Sequence, residues 1–203
     1  MTISPVLRLS AVCGFLSGLL IAVPGVIDGF VGESTTTSVL LSFSPALAIV
    51  LVVGLHATQV ERAGRFGVLA YGVNLVGTGL FAGVAFALNG VLFFLDDATV
   101  TELRNGPTGV LLAVDGLIFV VGAVLFGASL IRAGVHPRPA AWTYTLAVPA
   151  LAVTSRLEES PGTALVHLLV GGSMVALAWG LWRTAPLQAP VEPVPAGRVG
   201  SVS

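Results

Sequence analysis

Asp115 is the residue whose position in this sequence most needs a chemical explanation. It lies seven positions into a long apolar run that starts at Gly109, about 10 Å below the helix end by helical rise. A carboxylate at that depth in hydrocarbon costs roughly 3 kcal/mol unless it is protonated, paired or hydrated. We therefore expect Asp115 to face the interior of a helix bundle, as a candidate for proton transfer or cation binding.

Other polar side chains fall at a comparable depth in neighbouring apolar runs. They predict a polar pocket open to the extracytoplasmic side, in which Asp115 and His167 form a proton-handling or cation-binding pair. The alternative is that Asp115 forms a hydrogen bond or salt bridge with a neighbouring residue and has only a structural role. The predicted pocket consists of Asp115, His167, Asn89, Ser42, Ser44 and, at its outer edge, Arg156.

Motifs of enzymes and of cofactor sites are not found in the sequence. It has no H-E-x-x-H, G-x-S-x-G, P-loop or dinucleotide-binding pattern. The single cysteine, Cys13, excludes an intramolecular disulfide and a cysteine-based metal cluster. His56 and His136 are interpreted as interfacial residues, and His56 lies too far from the depth of His167 for the two to ligate a haem. We expect no catalytic residues, no cofactor and no metal site.

The composition defines the surroundings in which these residues must act. Of 203 residues, 55% are hydrophobic and 9% are charged, whereas soluble proteins carry about 25% charged residues. So few charges indicate a membrane protein whose main partner is the lipid bilayer. A net charge of −1, with nine arginines and no lysine, excludes a basic nucleic-acid surface. A membrane-protein partner or a second copy of the chain stays open.

Six apolar runs are bounded by charged, polar or proline residues, and they predict an all-α, polytopic transmembrane helix bundle. The fifth run is the shortest and contains Pro149, so a re-entrant or interfacial segment is its alternative. The first run could be a signal peptide, but no clear cleavage site follows it, which favours an uncleaved helix. The predicted spans cover residues 9–27, 39–55, 67–94, 109–131, 140–154 and 163–182.

The distribution of arginines predicts the orientation of these spans, because arginines near membrane ends are retained on the cytoplasmic side. Six spans with both termini inside leave only Arg104 and Arg156 outside. Residues 1–185 then form the transmembrane domain, and the proline-rich residues 186–203 form a disordered cytoplasmic tail. The inner arginines are Arg8, Arg62, Arg65, Arg132, Arg138, Arg183 and Arg198.

Two glycine pairs at four-residue spacing lie inside the predicted spans: Gly14 with Gly18, and Gly79 with Gly83. Small residues let helix backbones approach closely, which is a main source of packing energy in lipid. We expect both pairs to pack helices within the bundle, and we favour this over a dimer interface.

Two segments, ERAGRFGVLAYGVNLVGTGLFAG from Glu61 and LVGGSMVALAWGLWRTA from Leu169, resemble those of small multi-pass membrane proteins encoded by G+C-rich bacterial genomes. The resemblance implies location in the bacterial cytoplasmic (inner) membrane and no particular activity. The leading expectation for function is a non-enzymatic accessory, scaffold or sensing component of the membrane. A small-solute or proton-coupled transporter using the pocket around Asp115 is the alternative, and an intramembrane or lipid-modifying enzyme has the least support.

Overall fold

Helices make up all the regular structure in residues 3–155, 157 and 159–184, which the computed structural model describes. This confirms the predicted all-α class. Arg156 and the predicted tail, 186–203, lie outside the described residues. The elements are α1 (Ile3–Val31), α2 (Thr35–Gly90), the 3-10 helix η1 (Leu92–Phe94), α3 (Asp97–Asn105), α4 (Pro107–Ala133), α5 (Arg138–Thr154) and α6 (Pro161–Thr184).

Helix α2 is folded in two at Gly64, whose φ of 58° and ψ of −158° are not helical. The rings of His56 and Tyr71 stack with centroids 4.0 Å apart, whereas fifteen residues of straight helix would separate them by about 22 Å. The arms 35–63 and 65–90 are therefore antiparallel neighbours. Glycine suits the turn because a side chain disfavours positive φ.

Local capping determines where the neighbouring elements begin. At the start of α2, the Ser34 hydroxyl accepts from the Thr37 amide at 3.3 Å, and the Thr37 hydroxyl accepts from the Ser34 amide at 3.0 Å. This reciprocal capping box satisfies two amides that the first turn leaves without partners. Gly134 ends α4 with a φ of 63°, the left-handed conformation that is common after a helix.

Each predicted apolar run lies largely within one helical segment, but the region after the third run differs from expectation. Helix α2 ends at Gly90, so residues 92–94 belong to η1 and not to a continuous span. The expected loop that follows contains α3, a short polar helix capped by Asp96. Its Asp-x-x-Thr start caps it. Its few apolar residues, including the half-buried Val100 and Leu103, place one face against the bundle, but no residue of α3 is fully buried.

Most large apolar side chains of α1 face away from the bundle, whereas its small and polar side chains face inward. Leu9 and Leu19 are more than half exposed, but Ser10 and Ser17 are fully buried. Such a surface is unfavourable in water and suits a lipid environment. Four helical stretches are long and apolar enough to cross a membrane, which indicates a membrane protein: Pro5–Val31, Thr35–Phe94, Pro107–Ala133 and Pro161–Thr184.

The helical segments alternate in direction between two ends of the bundle. The end that contains the Gly64 turn is here called the hairpin end. There Arg8, near the start of α1, lies 5.5 Å from the ring centroid of Trp182, near the end of α6. The opposite end, the cavity end, contains the α1–α2 connection, α3 and the α5–α6 connection.

Glycines allow α1 to pack tightly between α2 and α6. A Cβ at Gly14 would lie 2.7 Å from Leu51 Cδ1, and one at Gly18 would lie 2.6 Å from the carbonyl oxygen of Gly171. The expectation for Gly79 and Gly83 is wrong within this chain, because a Cβ at either would meet nothing within 4 Å. Four-residue spacing places two glycines on one helix face, but it does not say which face the bundle buries.

Candidate ligand cavity

A cavity of about 430 Å³ lies at the cavity end of the bundle, between α1, α2, α3, α5 and α6. This volume falls in the range of small-molecule sites, about 300–1,000 Å³. The residues that line it come from widely separated parts of the sequence, from Ile21 in α1 to His167 in α6. The fold therefore assembles a pocket that no single segment could form.

His167 is the most buried ionisable residue of the cavity wall, with 8% of its surface exposed. Its Nδ1 lies 2.9 Å from the carbonyl oxygen of Thr163. When Nδ1–H donates to that carbonyl, the neutral ring keeps Nε2 as an acceptor. No described residue hydrogen-bonds Nε2, so this nitrogen is available to a ligand.

Two carboxylates lie near His167 along the same wall. Glu159 accepts a hydrogen bond from the Thr163 hydroxyl at 2.7 Å, which fixes it beside the first turn of α6. Glu33 is exposed in the connection between α1 and α2 and also lines the cavity. Desolvation raises the pKa of Glu33, the Glu159 and Asp28 carboxylates raise it further, and Arg104 opposes them. The wall thus concentrates negative charge.

Helix α3 supplies the opposite wall through Asp97, Val100 and Arg104. Their spacing of three and four residues places them on one helix face. Asp96 holds the start of this helix, because its carboxylate accepts from the Thr99 amide at 3.0 Å and from the Thr99 hydroxyl at 2.7 Å. These hydrogen bonds lower the pKa of Asp96. Arg104 is the one described arginine that lines the cavity.

The floor of the cavity is apolar and is formed by Ile21, Pro45, Phe81 and Leu151. The same four residues also line a smaller space of about 20 Å³ further into the bundle, which is the size of roughly one water molecule. The ring of Phe81 stacks on Phe119 with centroids 4.0 Å apart. The cavity therefore has a charged rim above an apolar floor.

A second cavity of about 220 Å³ adjoins the first on the side of α4. Phe81, Leu88, Arg104 and Ser155 line both spaces. Arg104 thus lies between the two cavities, whereas Glu33, Glu159 and His167 line only the larger one. The carboxylates Glu33, Asp97 and Glu159 therefore belong to the larger cavity alone, whereas Arg104 lines both.

Two residues of the predicted polar pocket, His167 and Asn89, line the large cavity together. The Asn89 side-chain amide donates to the Ala85 carbonyl at 2.9 Å, and the side chain is half-buried. Ser44 lines the 20 Å³ space instead. Ser42 is not among the described residues of either space, and its hydroxyl donates to the Val39 carbonyl of its own helix at 2.7 Å.

The predicted pairing of Asp115 with His167 is not observed. Asp115 is half-buried, it is not among the described residues that line the cavities, and no described residue hydrogen-bonds it. Helix α4 packs against α2 and α5, whereas α6 packs against α1 and α5. Equal depth in two helices is therefore not enough for contact, because the helices must also be neighbours in the bundle.

Sequence reasoning missed the charged rim formed by Glu33, Asp97, Glu159 and Arg104. Among these residues, the arginine distribution assigned a position only to Arg104, on the outer side of the predicted membrane. The one local signal was the helical spacing of Asp97, Val100 and Arg104, but a helix was not expected there. The convergence of three inter-helix connections on one cavity has no signature in residue spacing.

The interpretation of His136 as an interfacial residue is wrong, because it is 4% exposed. Its Nε2 lies 3.2 Å from the Leu55 carbonyl oxygen and 3.2 Å from the Thr58 hydroxyl. Burial lowers the pKa of His136, and the hydrogen bond to the Leu55 carbonyl opposes that shift. His136 therefore links the α4–α5 connection to the first arm of α2 at the hairpin end. His56 lies nearby on the same arm, stacked on Tyr71.

Comparison of the chain with protein-family models, with curated proteins and with solved structures gave no match. The inference of function therefore depends on the geometry of the cavity.

Proposed function

We propose that this protein is a non-enzymatic sensing or accessory component of the membrane that binds a small molecule in the cavity. The observation that carries the proposal is a volume of about 430 Å³ lined at once by His167, by rim charges and by an apolar floor. Sites for small molecules typically combine apolar walls with a few convergent polar groups. The small size of the space below the floor, about 20 Å³, favours binding over free passage through the bundle.

In this proposal the protein crosses a bacterial cytoplasmic membrane six times, with both termini on the cytoplasmic side. The arms of α2 count as two spans, and α5 counts as one although its 17 residues reach only about 26 Å. Local bilayer thinning accommodates such a short helix at modest cost. Cytoplasmic orientation of the hairpin end is supported by its arginines, namely Arg8, Arg62, Arg65, Arg132, Arg138 and Arg183.

Tryptophans support the same placement of the hairpin end at a membrane surface. Trp179 and Trp182 are partly exposed in the last turns of α6, and Trp142 is exposed in the first turn of α5. The Arg183 guanidinium lies 4.9 Å from the Trp179 ring centroid. Indole rings beside arginines are typical of the interface between hydrocarbon and water.

The experiment is a ligand screen on the purified full-length chain in detergent, with the melting temperature as readout. The panel contains small organic cations, anions and zwitterions, and we expect one class to raise the melting temperature. Asn89→Trp fills part of the cavity and should abolish the rise. Phe86→Trp is the matched control, because Phe86 is 52% exposed on the same helix and is not among the cavity-lining residues.

Transport of the bound molecule is the second candidate function. It is favoured by buried polar atoms that continue below the cavity without a described partner, namely Thr78 Oγ1, Asn74 Oδ1 and Nδ2, and Gln59 Oε1. Uptake of a bound compound into proteoliposomes distinguishes the two functions. Binding without uptake is the result expected for a sensing component.

A rise in melting temperature that survives Asn89→Trp, or no rise with any class of compound in the screen, contradicts the proposed binding function.

A further inference from the structure

The rim of the cavity carries more negative than positive charge. Among its described lining residues, the carboxylates are Glu33, Asp97 and Glu159, and Arg104 is the cation. A bound anion would face three like charges in a space partly shielded from water, where electrostatic interactions are stronger than in bulk solvent. The balance of charge therefore favours a positively charged ligand.

His167 gives an independent indication that a hydrogen-bond donor occupies this site. Its side chain is more than nine-tenths buried and lines the cavity. Because Nδ1 is engaged by the Thr163 carbonyl, the neutral ring offers Nε2 as an acceptor without a described partner. An ammonium group carries only donors, and it matches this nitrogen as well as the carboxylates of the rim.

The Asp28 carboxylate strengthens the same argument. Asp28 lies one helical turn beyond Gly25, which contacts His167, and it is only 3% exposed. Its Oδ1 is buried without a hydrogen-bond partner in the described structure. A buried carboxylate oxygen without a partner is costly unless a positive charge lies close by. Asp28 is not itself among the described cavity-lining residues, but a cation bound beside His167 would supply that charge.

The apolar floor specifies the rest of the ligand. Ile21, Phe81 and Leu151 offer hydrocarbon and aromatic surface but no described hydrogen-bonding group at the bottom of the cavity. An ion that is hydrated all round would leave this surface unused. A molecule with a charged head and an apolar body buries that surface while its head remains at the rim.

We propose that the cavity binds a small organic monocation, with an ammonium head among His167, Glu33 and Glu159 and an apolar body on the floor. This inference rests on the proposed binding function and adds the chemical class of the ligand. Arg104, on the other side of the site, disfavours the cation and limits its affinity. Removing a rim carboxylate and removing Arg104 should therefore have opposite effects.

The test compares three probes of similar shape and different charge. They are 2-phenylethylammonium, 3-phenylpropanoate and zwitterionic phenylalanine, titrated at fixed ionic strength into the full-length chain in detergent. We expect 2-phenylethylammonium to bind and the propanoate to bind at least about tenfold more weakly. Titration of Asn89→Trp measures partition of the probe into micelles, which is subtracted.

Charge variants give the second part of the test. Glu33→Gln should weaken binding of 2-phenylethylammonium about threefold, and Arg104→Gln should tighten it by a similar factor. Glu102→Gln is the matched control, since Glu102 is exposed on α3 and is not among the cavity-lining residues, and it should change affinity less than about twofold.

Several results overturn the inference. Preferential binding of the propanoate or of phenylalanine that is lost in Asn89→Trp rejects the monocation but retains the binding function. Equal effects of Glu33→Gln and Glu102→Gln also reject it. If 2-phenylethylammonium gives no signal beyond micelle partition, the monocation is rejected, and the wider ligand screen decides the binding function separately.

Discussion

His167 occupies the space that a side chain at position 25 would fill. A Cβ built on Gly25 in α1 would collide with Cβ, Cγ and Cδ2 of the imidazole. The imidazole of His167 therefore packs directly against the backbone of α1 at Gly25, and His167 also lines the cavity. Gly25 is therefore part of the site, although it offers no chemical group of its own.

Gly25→Ala should displace His167, weaken ligand binding in the cavity and lower the melting temperature. The added methyl group has nowhere to go, and overpacking typically costs about 1–3 kcal/mol. Gly172→Ala in α6 is the matched control, because a Cβ there meets nothing within 4 Å. Melting curves and probe titrations of both variants check this. If the two variants had the same melting temperature and the same probe affinity, the contact between Gly25 and His167 would not contribute to stability or binding.

The two glycines at positions 77 and 79 should respond oppositely to alanine, although they are two residues apart on one helix. A Cβ at Gly77 would lie 2.8 Å from the Phe119 Cα and 2.9 Å from the Ile118 carbonyl oxygen, whereas one at Gly79 would meet nothing. We expect Gly77→Ala to be destabilising by about 1–3 kcal/mol. Gly79→Ala should be neutral or slightly stabilising, because alanine favours helix. Denaturation in detergent measures both.

Ser17 and Ser44 should show coupled effects on stability. The Ser17 and Ser44 hydroxyl oxygens lie 3.1 Å apart, within hydrogen-bonding distance of each other. The Ser17 hydroxyl also lies 2.8 Å from the Ser44 carbonyl oxygen, and the Ser44 hydroxyl lies 3.0 Å from the Ser17 carbonyl oxygen. Interhelical hydrogen bonds in membrane proteins contribute about 0.6 kcal/mol each on average. A double-mutant cycle with Ser17→Ala and Ser44→Ala should give a coupling of that order. Strict additivity would show that the two hydroxyls do not bond to each other.

Glu33→Gln should stabilise the unliganded protein at neutral pH. The pKa of Glu33 is raised above its ordinary value of 4.5, first by desolvation and then by Glu159 and Asp28, against the opposing Arg104. The unfolded chain therefore loses the Glu33 proton at a lower pH than the folded chain does. Folding consequently becomes less favourable as the pH rises from 4.5 through the folded-state pKa. The gain from Glu33→Gln should be full above that pKa and absent below about pH 4. Melting temperatures between pH 4 and pH 8 measure it, and a gain that is largest at low pH would contradict this.

The sequence predicted the helical class well because the length and hydropathy of each apolar run determine it locally. Ser34 and Asp96 likewise mark helix starts by their own hydrogen bonds. The site was harder to predict, since Asp115 and His167 share a depth but lie on helices that are not packed together. Glu33 and Arg104 line one cavity only because α2 folds back at Gly64 and α3 crosses the cavity end, and these are long-range events.

Cysteine labelling in intact cells tests most directly the central claim that the cavity opens on the outer side of the membrane. In a Cys13→Ala background, the probe positions are Asn89→Cys in the cavity and Arg65→Cys at the hairpin end. A membrane-impermeant, positively charged methanethiosulfonate should modify position 89 from outside, and position 65 only after the membrane is permeabilised. Modification of position 65 in intact cells, with position 89 protected, would contradict the account.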